Sequence, residues 1–183
     1  KGLTINEFTT DHAQRIPFLS SDYDYAGLRL GGWLTSGLDY AGFRLLYHLN
    51  QPDRWDEVAS FLGGSYFRCL GRGQRYGLSA CALVLDPGGP QEEFPDFVEV
   101  WLGKPDPAAD KITVHALLDG PSVAGAYTFV FTPGDDTVVT VQATLFFRRR
   151  VANVGLSPLA SMFRSAEGRC QWASSKSEAH DSD

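Results

Sequence analysis

Cysteine and histidine are both scarce in this chain, which limits the kinds of site that it can hold. Its 183 residues include three cysteines and four histidines. An odd number of cysteines does not make a disulfide framework, and Cys69, Cys81 and Cys170 lack the spacing of metal ligands. A predicted hairpin with its turn near residues 71–74 would place Cys69 opposite a residue near Tyr76, so Cys69 and Cys81 are not expected to form a bridge. We predict no metal centre and no cofactor.

An excess of basic residues is also missing. The chain has 16 lysines and arginines against 22 aspartates and glutamates, which gives a formal net charge of −6. Its basic residues are scattered apart from Arg148-Arg149-Arg150. A cluster of this length is too short to form a groove that follows a phosphate backbone, so nucleic acid is not an expected partner.

Long apolar runs and a leader peptide are missing as well. No stretch approaches the roughly 20 apolar residues that a helix needs to span a bilayer. No charged and apolar leader opens the chain, which begins at Lys1 rather than at methionine. We therefore expect no membrane span, and we expect the chain to be a processed or excised segment of a longer protein.

The residues that are present favour β-strands. Aromatic and β-branched residues fill short runs, and breaks such as Pro87-Gly88-Gly89-Pro90 and Pro133-Gly134-Asp135-Asp136 separate them. Regular spacing of this kind predicts an all-β fold, an antiparallel β-sandwich. The predicted strands cover residues 25–30, 40–49, 64–70, 75–85, 97–102, 111–118, 124–132 and 137–147.

The remaining segments lack a clear strand pattern. The opening through Ser21 is expected to be irregular. Short helical turns at Trp55–Phe61 and Val151–Leu159 remain as alternatives to strands. From about residue 165, serine, lysine and acidic residues dominate, which predicts a loop or disorder. The predicted organisation is a partial sandwich domain over 1–164 and a tail over 165–183.

One seven-residue word occurs nearly twice. Asp24-Tyr25-Ala26-Gly27-Leu28-Arg29-Leu30 returns as Asp39-Tyr40-Ala41-Gly42-Phe43-Arg44-Leu45. The glycine-rich break between the copies predicts two neighbouring antiparallel strands. Because residues two apart share a face of a strand, Tyr25 and Arg29 would lie on a polar face opposite an apolar one. Two copies are fewer than a repeat architecture needs, so a chance resemblance of two strands also stays open.

Several segments carry a more specific signal, because they follow one another in a single collinear order from about Ser21 to the end of the chain. They are Tyr40-Ala41-Gly42-Phe43-Arg44-Leu45, Gly64-Ser65-Tyr66-Phe67-Arg68, residues 70–80, Glu92-Glu93-Phe94-Pro95 before Trp101, Ala116-Leu117-Leu118-Asp119 before Gly125-Ala126-Tyr127, residues 133–139, Ser161-Met162-Phe163 and His180-Asp181-Ser182-Asp183. In these segments the chain resembles the periplasmic osmoregulated-glucan biosynthesis proteins, the G and D members (MdoG-like).

The resemblance implies a periplasmic protein that acts on the β-1,2-linked glucan backbone, by inverting hydrolysis or by remodelling. It also implies part of a large galactose-mutarotase-like supersandwich, so the chain is expected to be an incomplete fragment that is inactive alone. The alternative is a non-catalytic module that holds glucan during assembly. A truncated sandwich would also leave sheet edges that need a partner, so homo-oligomerisation stays open.

Inverting hydrolysis needs a protonated carboxyl group and a second carboxylate, typically roughly 6.5–9.5 Å apart. The resemblance matches the acid to Asp181, with Glu178 as an acidic neighbour just upstream. Glu93 is the preferred base by its approximate place in the family pattern. The other acids considered for the base are Glu92, Asp96 and Glu99.

Sugar recognition uses flat apolar rings and planar polar groups, which points to tyrosine, tryptophan and arginine. The candidates that are expected to line one groove are Tyr25, Arg29, Tyr40, Arg44, Tyr66, Arg68, Tyr76 and Trp101. His12, His48 and His115 stand alone and are expected to be structural or exposed. Cys81 replaces an arginine that is usual in the resembled family, so any sugar contact of that arginine is expected to be lost.

Overall fold

The computed structural model describes residues 2–23, 38–75, 78–106, 109–160, 162–165 and 178–181. Within these ranges no helix has the length and the apolar character needed to cross a membrane. The described residues form one short 3-10 turn, Ser20–Asp22, and fifteen strands. The strands are β1 Thr4–Phe8, β2 Ala13–Arg15, β3 Gly42–Tyr47, β4 Asp56–Leu62, β5 Tyr66–Cys69, β6 Ser79–Cys81, β7 Leu83–Leu85, β8 Asp96–Gly103, β9 Ile112–Asp119, β10 Val123–Thr132, β11 Val138–Phe147, β12 Val154–Leu156, β13 Leu159–Ala160, β14 Met162–Ser165 and β15 Glu178–Asp181.

Two large sheets dominate the architecture. The six-stranded sheet has the order β11-β10-β9-β8-β1-β2, and the five-stranded sheet has the order β13-β6-β5-β4-β3. Two smaller sheets pair β12 with β7 and β14 with β15. Among the described strands all pairs are antiparallel except β1 with β8, which run parallel. The predicted all-β, sandwich-like fold is confirmed.

The hydrophobic core lies between the two large sheets. Phe61 of β4 packs edge-on against Phe129 of β10, with ring centroids 5.2 Å apart. Phe67 of β5 makes a second edge contact with the Phe129 ring, also at 5.2 Å. Both sheets therefore turn one aromatic face inward, and Phe129 at the centre is fully buried. Aromatic edge contacts of this kind add to the free energy gained from the buried apolar area.

The strands alternate as the period of two predicts. In β10 the residues Val123, Gly125, Tyr127, Phe129 and Phe131 are buried, and those between them are less so. Tyr127 donates a hydrogen bond to the backbone oxygen of Ala82 at 3.4 Å. Burial, followed by the nearby Cys81, raises the pKa of Tyr127 to about 12, so its hydroxyl group stays protonated inside the core at neutral pH.

The short helical turn that the sequence left as an alternative at Trp55–Phe61 does not form, because Asp56–Leu62 is strand β4. Leu45 pairs with Ala59 and Leu46 pairs with Glu57, so Val58 is an extra residue in a β-bulge. A bulge shifts the alternation by one position. The apolar residues of β4 consequently do not follow a period of two, although the segment is a strand paired on both sides, with β3 and β5.

Two other segments also differ from expectation. The opening through Ser21, expected to be irregular, contains β1 and β2, and β1 lies inside the six-stranded sheet. The alternative helical turns at Val151–Leu159 are replaced by β12 and the start of β13. Both segments contain strands of only two to five residues, which are too short to show a clear period.

The tail over 165–183 was expected to be a loop or disordered. Within it the structure forms β15, whose backbone pairs with β14 so that Asp181 lies opposite Met162. Pairing with β14, the strand that precedes it along the chain, supplies hydrogen bonds that the local sequence pattern does not indicate. The division of the chain into a domain and a tail stays a prediction.

The second copy of the repeated word behaves as its alternation predicts. Leu45 is buried, Phe43 packs against the core, and Arg44 is exposed. The first copy, including Tyr25 and Arg29, lies outside the described residues, so the pairing of the two copies stays a prediction.

We expect the contacts between the sheets at Phe129 to dominate stability. The substitution Phe129→Ala should lower the free energy of unfolding by about 3–5 kcal/mol, because it leaves a cavity in a closely packed core. Phe146→Ala is the matched control, since the Phe146 ring is 62% exposed on β11; its effect should stay within about 0.5 kcal/mol. Equilibrium unfolding in urea measures both values, and similar losses for the two variants would contradict this account of the core.

Candidate functional site

Two cavities meet at Tyr40, near one end of the sandwich. The larger one, about 420 Å³, lies between the two sheets and is called the end cavity. The smaller one, about 310 Å³, lies beside β3 and is called the side cavity. Both are lined by Asp39, Tyr40, Ala41, Phe43, Phe61 and Leu62. Two of the segments that carry the family resemblance, around Tyr40 and Tyr66, therefore meet at one place in the fold.

Tyr40 is fixed from several sides. Its backbone oxygen accepts a hydrogen bond from the Leu3 amide at 2.8 Å, and its hydroxyl group donates to the Pro17 oxygen at 3.1 Å. The ring of Phe18 meets the Tyr40 ring edge-on, with centroids 5.3 Å apart. Burial raises the pKa of Tyr40, and the negative charges around it act in the same direction. Its hydroxyl group is therefore a proton donor at neutral pH, and its ring is a rigid wall between the two cavities.

A tight turn places Tyr66 and Asp96 on the end cavity. Gly63 and Gly64 both have positive φ, +71° and +51°, which favours glycine. A Cβ atom at Gly64 would lie 3.4 Å from the Tyr66 ring and 3.5 Å from the Asp96 carboxylate. The backbone oxygen of Gly64 also accepts a hydrogen bond from the Phe97 amide at 3.1 Å. This turn therefore holds an aromatic ring and a carboxylate side by side.

The end cavity combines a polar rim with an apolar floor. Asp39 and Asp96 contribute carboxylates, and Asp39 accepts a hydrogen bond from the Tyr40 amide at 3.0 Å. Burial, followed by the charges of Cys81 and Glu92, raises the pKa of Tyr66, so this hydroxyl group also stays protonated. The floor consists of core side chains, Phe61, Phe97 and Val100. Such a cavity offers acceptors and donors around flat apolar surface, the combination found in small-ligand sites.

Arg44 and Arg68 lie in one line on the outer face of the five-stranded sheet. Arg44 pairs with Ser60 across β3 and β4, and Ser60 pairs with Arg68 across β4 and β5. We call these three residues the arginine row. The Arg44 guanidinium contacts the Glu57 carboxylate at 3.2 Å, and its side chain is 69% exposed. Arg44 and Ser60 also line the side cavity, so the arginine row begins next to Tyr40.

Trp101 lies elsewhere. In β8 the buried Val100 pairs with the buried Ala116, whereas Trp101 pairs with His115 on the other face. That face is the outer face of the six-stranded sheet. Because the two large sheets share one core, their outer faces point in opposite directions. Trp101 therefore does not lie with Tyr40 and the arginine row.

Glu93 is held in a structural network. Its carboxylate accepts hydrogen bonds from the Ser122 amide at 3.0 Å and from the Ser122 hydroxyl group. The guanidinium of Arg149 lies 3.5 Å from the same carboxylate, and it also donates a hydrogen bond to the Ser122 oxygen. Ser122 is fully buried, and the Glu93 side chain is only 12% exposed. These contacts connect the turn before β10 to the segment after β11.

The other acids considered for the base occupy different surroundings. Glu92 accepts a hydrogen bond from the Gly88 amide at 3.1 Å, and Glu99 accepts one from Asn6 at 2.8 Å. Of the four acids, Asp96 is the one that lines a cavity among the described residues. The role of Glu93 as the base stays a prediction.

The predicted acid lies on β15. The backbones of Glu178 and Asp181 pair with Ser165 and Met162 of β14. Their side chains lie outside the described residues, as does all of Tyr76, so the catalytic role of Asp181 and Glu178 and the glucan contacts of the tyrosine and arginine candidates stay predictions.

Cys69 and Cys81 form no disulfide bridge with each other, in agreement with the prediction from the hairpin register. Both thiols are free, because Cys81 pairs with Tyr66 rather than with Cys69. Cys81 is fully buried and contacts the Leu83 backbone oxygen at 3.2 Å. Among the described residues no group of three or more His, Cys, Asp or Glu side chains could hold a metal ion.

Sequence reasoning missed several residues that line the cavities. Asp39 begins the second copy of the repeated word, and that position was the signal available for it. Phe18 and Tyr23 line the side cavity, and they stack on each other at 4.9 Å. They belong to the opening that was expected to be irregular, so nothing in the local pattern connected them to Tyr40.

We expect Glu93 to contribute to stability. Glu93→Ala should lower the free energy of unfolding by about 1–3 kcal/mol, because the buried Ser122 hydroxyl and amide groups lose their acceptor. Glu92→Ala is the matched control, since Glu92 is exposed one residue earlier. Thermal unfolding followed by circular dichroism compares the two variants. Equal melting temperatures for Glu93→Ala and the parent chain would contradict a structural role for this carboxylate.

Comparison with known proteins agrees with the sequence resemblance. Residues 1–183 match the family described as "Periplasmic glucan biosynthesis protein, MdoG". Two similar relatives are Glucans biosynthesis protein G of Pseudomonas paraeruginosa (strain DSM 24068 / PA7) and of Pseudomonas aeruginosa (strain LESB58), each 44% identical over 160 residues. The aligned part covers 87% of this chain and 30% of each relative. The family description agrees with the predicted periplasmic location, and the chain belongs to the MdoG family of periplasmic glucan biosynthesis proteins.

Proposed function

We propose that this chain binds the β-1,2-linked backbone of periplasmic glucans and takes part in their biosynthesis by hydrolysis or remodelling. The observation that carries the proposal is the end cavity, where Tyr40, Tyr66, Asp39 and Asp96 surround an apolar floor. The name of the family supports glucan as the ligand class.

The chemistry of the end cavity suits a glucosyl unit. Pyranose rings have apolar C–H faces that pack on aromatic rings, and the Tyr40 and Tyr66 rings provide such surfaces. The Tyr66 hydroxyl group stays protonated and can act as a donor, whereas the Tyr40 hydroxyl group already donates to the Pro17 oxygen and can accept a hydrogen bond. The carboxylates of Asp39 and Asp96 accept hydrogen bonds from sugar hydroxyl groups, and bonds to charged acceptors are the stronger ones.

The arginine row extends this site along the outer face of the five-stranded sheet. Arg44 begins at the side cavity next to Tyr40, and Arg68 lies two strands away. Neighbouring strands are about 4.8 Å apart, so the two arginines span roughly 10 Å. A glucan chain that leaves the end cavity past Tyr40 would meet guanidinium donors along this row.

In the hydrolytic form of the proposal, Asp181 is the general acid. Its protonated carboxyl group donates a proton to the glycosidic oxygen as the bond from that oxygen to the anomeric carbon breaks. A water molecule attacks the anomeric carbon and gives its proton to a second carboxylate. One carboxyl group has then lost a proton and the other has gained one, so their total charge is unchanged. Glu93 and Asp96 are the two candidates for that carboxylate.

The second candidate function is a non-catalytic module that holds glucan during assembly. The contacts of Glu93 favour it, because Ser122 and Arg149 already engage both oxygens of its carboxylate. A general base must be free to take a proton from water. In this form of the proposal the tyrosine and arginine side chains bind glucan, and the chain releases no product.

Asp96→Asn tests binding at the end cavity. The substitution keeps the shape of the side chain and removes its charge, so it should weaken the binding of β-1,2-glucan oligosaccharides about tenfold. Asp53→Asn, an exposed position in a turn, is the control and should bind as the parent does. Isothermal titration calorimetry measures the dissociation constants. If Asp96→Asn binds with the affinity of the parent, the end cavity is not the glucan site.

Asp181→Asn separates the hydrolytic form from the binding form. Because the chain alone is expected to be inactive, the test uses the full-length parent protein with linear β-1,2-glucan as substrate. The hydrolytic form predicts that this parent releases reducing ends and that its Asp181→Asn variant loses at least about 100-fold of the rate, the usual contribution of general acid catalysis. The Asp53→Asn control should retain the parent rate. Saturable glucan binding without any release of reducing ends from the parent would instead identify the non-catalytic module.

A further inference from the structure

One line of polar and aromatic side chains crosses the outer face of the six-stranded sheet. Each member pairs with the next across a strand boundary, from β2 at one edge to β11 at the other. The line, which we call the outer-face line, consists of Arg15, Asn6, Trp101, His115, Thr128 and Gln142. With strands about 4.8 Å apart, its length is roughly 24 Å.

The centre of the line leaves hydrogen-bonding groups free. Among the described residues, the indole N–H of Trp101 has no hydrogen-bond partner, and its ring packs against no other ring. His115 uses Nδ1 in a hydrogen bond of 2.9 Å with the Thr128 hydroxyl group, which leaves Nε2 available. The Phe8 ring lies 5.0 Å from the His115 ring and supports it from the neighbouring position on the same face.

Asn6 gives the line a buried and prearranged member. Its side chain is 7% exposed, and its amide nitrogen donates to the Glu99 carboxylate at 2.8 Å and to the Val100 backbone oxygen at 3.1 Å. These two bonds fix the orientation of the amide. Its oxygen accepts no hydrogen bond within the described ranges, and a buried acceptor without a partner costs free energy. A ligand hydroxyl group beside Trp101 would supply that partner.

The composition of the line selects a neutral ligand. Four of its six members, Asn6, Trp101, Thr128 and Gln142, have side chains that do not ionise, and the one arginine, Arg15, stands at its end. An anion or a phosphate backbone would require several guanidinium or ammonium groups. A polyhydroxylated chain instead needs amide, imidazole and indole groups around an aromatic surface, and the spacing of one member per strand is comparable to the length of one pyranose ring.

We propose that the outer-face line is a second glucan-binding surface, on the side of the sandwich opposite the arginine row, where a glucan chain lies across the strands with one sugar ring on Trp101. This inference rests on the proposed function for the class of ligand. The two surfaces point away from each other, so the chain would hold two glucan strands, or two separate parts of one long strand.

Trp101→Ala and Gln142→Ala test the proposal. The probe is linear β-1,2-glucan, measured by affinity electrophoresis and by calorimetry on the intact chain. Trp101→Ala should weaken binding of long glucan about tenfold through the loss of ring stacking, and the exposed Gln142→Ala should weaken it about threefold. Trp55→Ala is the matched control, because Trp55 is 63% exposed and lies away from the line; it should bind as the parent does.

The outcomes separate this inference from the proposed function. If Asp96→Asn or Arg44→Ala weakens binding while Trp101→Ala and Gln142→Ala do not, the second surface is wrong and the proposed function stands. If Trp101→Ala fails to fold, Gln142→Ala decides: unchanged affinity means that the line is a packing surface for polypeptide. If the parent binds no glucan, the proposed function itself fails.

Discussion

The packing of Phe61 against Phe129 is the contact on which the rest of the structure depends. Their rings meet edge-on at 5.2 Å and join the five-stranded sheet to the six-stranded sheet. Once this face of each sheet is buried, the alternation of side chains leaves every second residue pointing outward. The same contact therefore creates the core and orients Arg44 and Trp101 toward opposite sides of the molecule.

The end cavity exists because the sandwich opens where the turn at Gly63 and Gly64 leaves the core. Phe61 and Phe97 belong to the core and also form part of the cavity floor. A ligand at this place would contact side chains that are already immobilised by packing, so little conformational entropy would be lost on binding. The Glu93 network lies apart from this cavity lining and connects β10 to the chain after β11, which is a structural task.

Regular alternation made β10 predictable from the sequence, whereas the bulge in β4 obscured that strand; β8 was predicted although its register also shifts. The buried residues of β10 follow a period of two without interruption, and that strand was predicted nearly to its ends. In β4 the extra residue Val58 interrupts the alternation, and the early acidic residues Asp56 and Glu57 kept a short helical turn as an alternative there. The candidate site shows the same division: Tyr40, Tyr66 and Arg44 were named from their segments, whereas their position beside Asp39 and Phe18 depends on contacts between distant parts of the chain.

The sequence by itself determined the all-β class, the family and the kinds of side chain available to bind a glucan, because composition, alternation and collinear words are local properties. Only the tertiary structure decided which of those side chains meet. Trp101 and Arg44 were both predicted to bind sugar in one groove. The register of β8 with β9 and of β3 with β4 instead places them on opposite sides of the sandwich. A shift of one residue in either register would reverse that outcome, and register is set by long-range pairing and by the shared core rather than by any single segment.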